Sequence, residues 1–406
     1  EARPATANAA AEDEGLPELR GPESMEIDLT NRARGCVLGL MAGDALGAGV
    51  EGWPADEIEK LCQERWRSKF VEGYFPAVHM ATHVSAGEPG QYREARWMEN
   101  GPFVPVGPPR TDATAEQCAR EGMFTDDTTA SLALAASLVE HGKIDAAAAA
   151  RKYYDFFTTG AFHGCPPTAA RVMQKVSEGV SIEETGLPPH FPFAGGSFAN
   201  GGGMRIAPLA IAYRDADAAQ LRVAVEKAIL SSHRHPEAVD FAVVQAAAVQ
   251  HVLRLASPAD LNVPALLADL MGRCATEAMH SAINSIHALA AVAAGDDDLT
   301  AVTEIVAQTK RPGSGIGFQI ASVHMAPCVL WCALRYADDP RRAIQAAIAL
   351  GGDTDTTASM VGAIVGALHG EGEWCADWTA ELENGERGRD YALGLAEALA
   401  RLEPSG

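Results

Sequence analysis

Gly35, Gly39, Gly43 and Gly47 recur every four residues, so they fall along one face of any helix that contains them. Each glycine inside a helix costs about 0.5–1 kcal/mol relative to alanine, so four in register require a compensating gain. Close packing of backbone on backbone is the simplest. The pattern resembles a membrane dimer motif, but Asp44 within it and the short apolar span argue against a bilayer. Asp44 in such a setting is expected to be a paired structural acceptor rather than a catalyst.

The rest of the chain also favours helices. Alanine runs such as 146–150 and 246–248, with only 6% aromatic residues, are the usage of closely approaching helices rather than of sheets. Thr30 or Asn31 can N-cap a segment running to about Gly47. Pro236 opens an apolar stretch to Leu255, Pro264 opens another to about Ala294, and Pro340 occupies a first-turn position before Ile344 to Leu350. No series of alternating runs suggests strands, and no period of 20 to 50 residues suggests a solenoid. The expected fold is all-α, a compact single-domain bundle of many helices over 28–406. Residues 1–27 mix Ala, Pro and Glu with no apolar core and read as a disordered tail. About 53–122, Gly, Pro and aromatic residues interrupt every pattern, which predicts an irregular insertion: a lid or binding loop, or a tolerated surface excursion.

Charge and cysteine usage exclude several classes. A formal net charge of −22 with no basic stripe opposes binding to a nucleic-acid backbone, so an anionic ligand must be met locally by cations, helix N-termini or backbone N–H groups. Eight scattered cysteines without a C-x-x-C pair fit reduced thiols in the cytoplasm or another reducing intracellular compartment. No uncharged apolar run is long enough to predict a membrane span.

Two segments share one grammar. Thr125-Asp126-Asp127-Thr128-Thr129 precedes the helical run Ala130 to Val139, and Asp353-Thr354-Asp355-Thr356-Thr357 precedes Met360 to Leu368. Either alone could serve as helix caps. Together they offer more carboxylates than capping needs, and such groups repel unless cations intervene. Hard oxygen donors without nearby His or Cys suit Mg²⁺ or Mn²⁺ rather than zinc. Gly351 and Gly352 allow the backbone ahead of Asp353 to approach a ligand closely, while Gly362 and Gly366 permit tight packing beside the following helix. A third element, Gly195-Gly196-Ser197-Phe198-Ala199-Asn200-Gly201-Gly202-Gly203 leading into Met204-Arg205, can cradle a phosphate with its N–H groups. Phe198 in it offers either a face for a nucleobase or a local core anchor.

The motif order resembles the ADP-ribosylglycohydrolase family. It runs G-C-x-x-G-x-x-x-G-D-A-L-G-x-x-x-E from Gly35 to Glu51, F-T-D-D-T from Phe124, G-S-F-x-N-G-G-x-M-R from Gly196, Ser232-His233, and G-G-D-T-D-T from Gly351. The resemblance spans about Thr30 to Leu402 and is greatest to the branch that cleaves O-linked ADP-ribose, including serine adducts and poly(ADP-ribose). It implies a dinuclear metal cleft in which Thr125, Asp126, Asp127, Asp353, Asp355 and Thr356 hold two magnesium ions, with manganese as a substitute. It implies acid/base work for Glu51, and diphosphate and adenosine binding by Gly196, Ser197, Phe198 and Asn200 with His233 nearby. The implied partners are ADP-ribosylated proteins or poly(ADP-ribose), met by a monomer without nucleic acid or membrane. Ala199 stands where the family pattern has glycine, and the connection from Glu51 to Thr125 is long for the family. A hydrolase of ADP-ribosyl-arginine, a hydrolase of O-acetyl-ADP-ribose and a non-catalytic ADP-ribose-binding protein remain as alternatives.

Overall fold

The computed structural model describes residues 28–75, 122–159, 163, 167–287 and 319–403, through which seventeen α-helices run. They are α1 (Leu29–Ala48), α2 (Ala55–Trp66), α3 (Asp126–His141), α4 (Ala146–Thr158), α5 (Pro167–Ser177), α6 (Ile182–Thr185), α7 (Gly201–Met204), α8 (Ala207–Ala212) and α9 (Ala218–Ile229). There follow α10 (Pro236–Leu253), α11 (Val263–Gly272), α12 (Glu277–His287), α13 (Ser322–Arg335), α14 (Pro340–Ala349), α15 (Thr354–His369), α16 (Ala376–Glu381) and α17 (Arg389–Arg401). Among the described residues strand pairing is limited to two isolated bridges, Pro54 with Gly351 and Ala199 with Ala321. The all-α expectation holds.

The glycine face of α1 packs antiparallel along α15. A Cβ on Gly35 would strike the backbone at Gly366 and Gly370, one on Gly39 would strike Gly362, one on Gly43 Ala358, and one on Gly47 Thr354 and Asp355. Added Cβ atoms on Gly362 and Gly366 would in turn strike the carbonyls of Gly39 and Gly35. The helix penalty of these glycines is thus offset by backbone-to-backbone packing that no larger residue permits. Around this seam lies one continuous core, in which α10 is buried nearly all round, including Phe241, Val244, Val249 and the alanines 246–248.

Three boundaries differ from expectation. The N-cap of α1 is Asp28, whose carboxylate accepts from Asn31 N at 2.9 Å; Thr30 and Asn31 are already helical. As far as His287 the stretch after Pro264 is two helices, because Asp240 of α10 accepts from Ala275 N at 3.0 Å and Thr276 N at 2.7 Å and so starts α12 afresh, and the rest of the expected stretch to about 294 lies outside the described residues. The predicted irregular stretch opens with α2, closed by Arg67 in the left-handed region at φ 56°; residues 76–121 lie outside the described set, as do 1–27. The six cysteines described, Cys36, Cys62, Cys274, Cys328, Cys332 and Cys375, are free thiols. Among the described residues no helix is long and apolar enough to cross a membrane.

Candidate active site

The α1–α15 seam carries the two aspartate segments to one place. Asp44 on α1 is fully buried and accepts from Thr125 N at 2.9 Å, Thr128 N at 2.9 Å and the Thr128 hydroxyl at 2.6 Å. The sequence-based role of structural acceptor is the one observed. At the far end of the seam, the Thr354 hydroxyl donates to Gly47 O at 2.8 Å. The chain then turns through Val50–Trp53, where Gly52 N donates to Gly352 O at 2.7 Å and Gly352 N donates to Trp53 O at 2.9 Å. Gly351 and Gly352 take φ 72° and 78°, and a Cβ on Gly351 would strike the backbone of Trp53 to Ala55, so the glycine permits close approach of this strap of the chain. The strap sets Glu51 beside the start of α15.

A cleft of about 430 Å³ opens here, within the range of small-ligand sites. Its acidic end is lined by Glu51, Asp126, Asp127, Asp353, Asp355 and Thr356. Carboxylate oxygens of Glu51, Asp353 and Asp355 lie within 4.8 Å of one another. The Thr356 hydroxyl donates to Asp127 Oδ2 at 3.3 Å, joining helix starts 229 residues apart. Asp353 accepts from Asn200 Nδ2 at 2.6 Å, and its N–H donates to Gln319 Oε1 at 2.9 Å. Thr125 does not line the cleft; its hydroxyl accepts from Asp127 N at 3.4 Å as the cap of α3.

So many carboxylates away from water hold their protons tightly. Burial first, then the Asp44 carboxylate, pushes Asp126 up to about 7. Burial followed by Asp44, Asp126 and Asp353 holds Asp127 well above the usual carboxylate range. Burial followed by Glu51, Asp353 and Asp127 does the same to Asp355, and burial raises Asp353. Asp127 Oδ1 is buried without a hydrogen-bond partner. An orphaned acceptor among crowded oxygen donors, with Arg205 and His233 the only basic side chains on the wall among the described residues, fits a hard divalent cation.

The other end of the cleft is the glycine-rich loop and an apolar wall. Ser197, Phe198, Asn200 and His233 all line it. Gly196 stands behind them at φ 80°, donating to Phe193 O at 2.9 Å, where a side chain would meet Arg234. Ala199 causes no strain: it pairs with Ala321, and among the described residues Arg67 alone has positive φ without being glycine. Phe198 is both wall and anchor, its ring centroid 5.6 Å from that of Phe193 and 6.1 Å from that of His235. Sequence reasoning missed Tyr153 and Phe157 of α4, Val172 and Met173 of α5, and Phe191 and Phe193, which complete the wall. The spacing of the four helical residues is that of an ordinary core stripe, while Phe191 and Phe193 lie in the loop before Gly195, where Phe193 is 39% exposed.

Among the described residues an all-helical scaffold thus carries an acidic pocket that merges into a glycine-loop cleft, an arrangement suited to metal-assisted hydrolysis. A family model for ADP-ribosylglycohydrolases matches residues 25–405, and the chain belongs to that family, as a hydrolase of ADP-ribose linkages. It is 25% identical to ADP-ribosylhydrolase ARH3 of Gallus gallus over 388 residues, covering 90% of this chain and 93% of the relative. It is also 25% identical to the Homo sapiens protein of that name over 393 residues, covering 92% and 93%. A solved structure described as an ADP-ribosylglycohydrolase-related protein complex superposes with a TM-score of 0.57 at 25% identity, covering 92% of this chain and 99% of that one.

Proposed function

We propose that this chain is a magnesium-dependent hydrolase that cleaves the bond between the anomeric carbon of ADP-ribose and an acceptor oxygen, with serine adducts and poly(ADP-ribose) as favoured substrates. The observation that carries the reading is the meeting of two remote Asp-Thr helix starts with Glu51 in one cleft that continues into the glycine-rich loop. The similarity to proteins named ADP-ribosylhydrolase ARH3 supports the same branch.

In this reading Asp126, Asp127, Asp353, Asp355 and Thr356 would hold two magnesium ions, and Thr125, which the sequence pattern also offered as a ligand, would act through the α3 cap that presents two of these carboxylates. Such ions supply orientation of ribose hydroxyls and acidification of water. Ser197, Phe198, Asn200 and His233, on a turn set by Gly196, bind the diphosphate and adenosine. Glu51 handles the proton, donating it to the departing acceptor oxygen or taking it from the incoming water as the sugar gains oxocarbenium character. The C1–O bond breaks, water oxygen bonds to C1, and free ADP-ribose and the acceptor hydroxyl result. Its strap, hydrogen-bonded to Gly352, fixes that carboxyl against the start of α15.

A turnover panel tests this: serine-linked, arginine-linked and polymeric ADP-ribose, each with magnesium or chelator. Release from the O-linked substrates only with magnesium is expected. Release from arginine alone would replace the acceptor assignment, and tight ADP-ribose binding without turnover of any substrate would replace catalysis by binding.

A further inference from the structure

The orientation of the cleft histidine is fixed by a directional chain of hydrogen bonds. Arg205, 7% exposed, donates from Nη2 to Ser232 Oγ at 2.6 Å, and Ser232 Oγ lies 2.8 Å from His233 Nδ1. A guanidinium only donates, so the serine oxygen is an acceptor in the first bond. The serine hydrogen then has two acceptors in reach, His233 Nδ1 at 2.8 Å and Ile229 O at 3.4 Å, and the shorter is the better bond. Were the proton on Nδ1, the serine oxygen would receive two donors, one from a cation, while its own hydrogen kept only the long bond. The chain therefore runs from Arg205 through Ser232 to Nδ1 and leaves the ring proton on Nε2.

Two further features agree. Arg205 is itself held, by a bond from Nη1 to Gly201 O at 3.0 Å and by the Tyr153 ring 4.5 Å beneath its guanidinium. The imidazole rests on Gly201 and Gly202, where added Cβ atoms would stand 3.0 Å from Nε2 and 3.2 Å from the histidine Cβ. Burial, then Arg205, holds His233 well below the usual imidazole range, so the ring is neutral. Its Nε2 makes no hydrogen bond to another described residue, and the side chain lines the cleft.

We propose that Arg205 and Ser232 are positioning residues that lock His233 as a neutral Nε2–H donor for an anionic ligand oxygen, such as a phosphate oxygen. The identity of the ligand rests on the ADP-ribose reading; the tautomer does not. Nitrogen-15 NMR of histidine-labelled protein without ligand, with the His233 signals assigned through His233→Asn, tests the lock directly. Expected near pH 7 is a protonated Nε2 and an unprotonated Nδ1, with Ser232→Ala shifting both ring nitrogens and Ser232→Thr restoring them. By calorimetry, Ser232→Ala should weaken ADP-ribose binding by about 3–10-fold, the worth of one hydrogen bond, and Ser232→Thr should recover it. A native His233 protonated on Nδ1, or ring shifts unmoved by Ser232→Ala, overturns the proposal. The expected tautomer in a wild type that ignores ADP-ribose upholds the lock and overturns only the ligand.

Discussion

The starts of α3 and α15 are spelled almost alike and supported quite differently. At α3 the cap is local: Thr125 takes the Asp127 N–H, and a single buried residue, Asp44, takes the N–H groups of Thr125 and Thr128. At α15 the side chain of the N-cap residue Asp353 makes no capping hydrogen bond. Its carboxylate is engaged by Asn200 from the glycine-rich loop, its N–H by Gln319, and the two glycines before it by the Gly52–Trp53 strap. The first start is thus part of the core, and the second is a clasp between three separate segments. Identical chemistry is delivered from a rigid side and from a side that joins the acidic end of the cleft to the ligand loop.

Breaking the rigid side should have the largest effect. Asp44→Ala leaves two buried N–H groups and a hydroxyl without their charged acceptor, at about 1–3 kcal/mol each, a large share of the 5–15 kcal/mol that holds a domain together. The expected result is poor soluble yield or a thermal midpoint lowered by many degrees. A variant melting within a few degrees of wild type would mean that water replaces the carboxylate and that the α3 start needs no pin. Glu51→Gln, on the strap, should instead spare the fold and act on chemistry alone. Turnover of an O-linked substrate should fall about 10²–10⁴-fold with ADP-ribose affinity nearly unchanged, as for loss of a general acid or base. Near-normal turnover would assign the proton to another carboxylate.

The contrast also explains what could be read from sequence. The glycine face of α1 announced a close contact because the helix penalty of four glycines has few other remedies, and the small surfaces of Gly362 and Gly366 were visible on another segment. The paired aspartates were legible because caps do not need so many charges. Other features depend on partners that are remote in the chain. The α11–α12 break comes from Asp240 on another helix, and the role of Gly351–Gly352 comes from a strap about three hundred residues earlier. The apolar wall escaped because a stripe facing a cleft has the same period as a stripe facing a core. Met173 is only 8% exposed and yet lines the cleft.

The clasp side is probed by Asn200→Ala, which removes the amide that orients Asp353 while leaving every carboxylate in place. Outer-sphere partners of metal ligands are typically worth 10–100-fold in affinity. Titration of the purified protein with magnesium should therefore show affinity lower by about that factor, with little change in melting when chelator is present. If Asn200→Ala instead melted like Asp44→Ala while binding magnesium normally, the two helix starts would be alike in kind and the comparison would fail.

The smallest effect expected is in the coupling of metal to protons. The unfolded chain loses its aspartate protons near pH 4, whereas in the metal-free fold Asp126 keeps its proton to about 7, and Asp127, Asp353 and Asp355 are raised as well. Between those limits the native state binds more protons than the unfolded state, so these groups make stability fall as pH rises. His233, His251 and His369, lowered by burial, act in the opposite direction as pH rises through the usual imidazole range. The two sets oppose each other in chelator, so the informative quantity is the difference between chelator and magnesium. A divalent cation held by the carboxylates replaces their protons, whereas none of these histidines is among its proposed ligands. The rise in thermal midpoint on adding magnesium should accordingly grow from about pH 5 to about pH 7, by a few degrees for each kcal/mol gained. Asp355→Ala should keep the fold, lose metal-dependent turnover and flatten this growth. In chelator at neutral pH it should be no less stable than wild type, because one buried carboxyl of the crowded cluster has gone. A magnesium increment independent of pH, or an Asp355→Ala protein much less stable in chelator, would make the acidic end a structural element rather than a cation site.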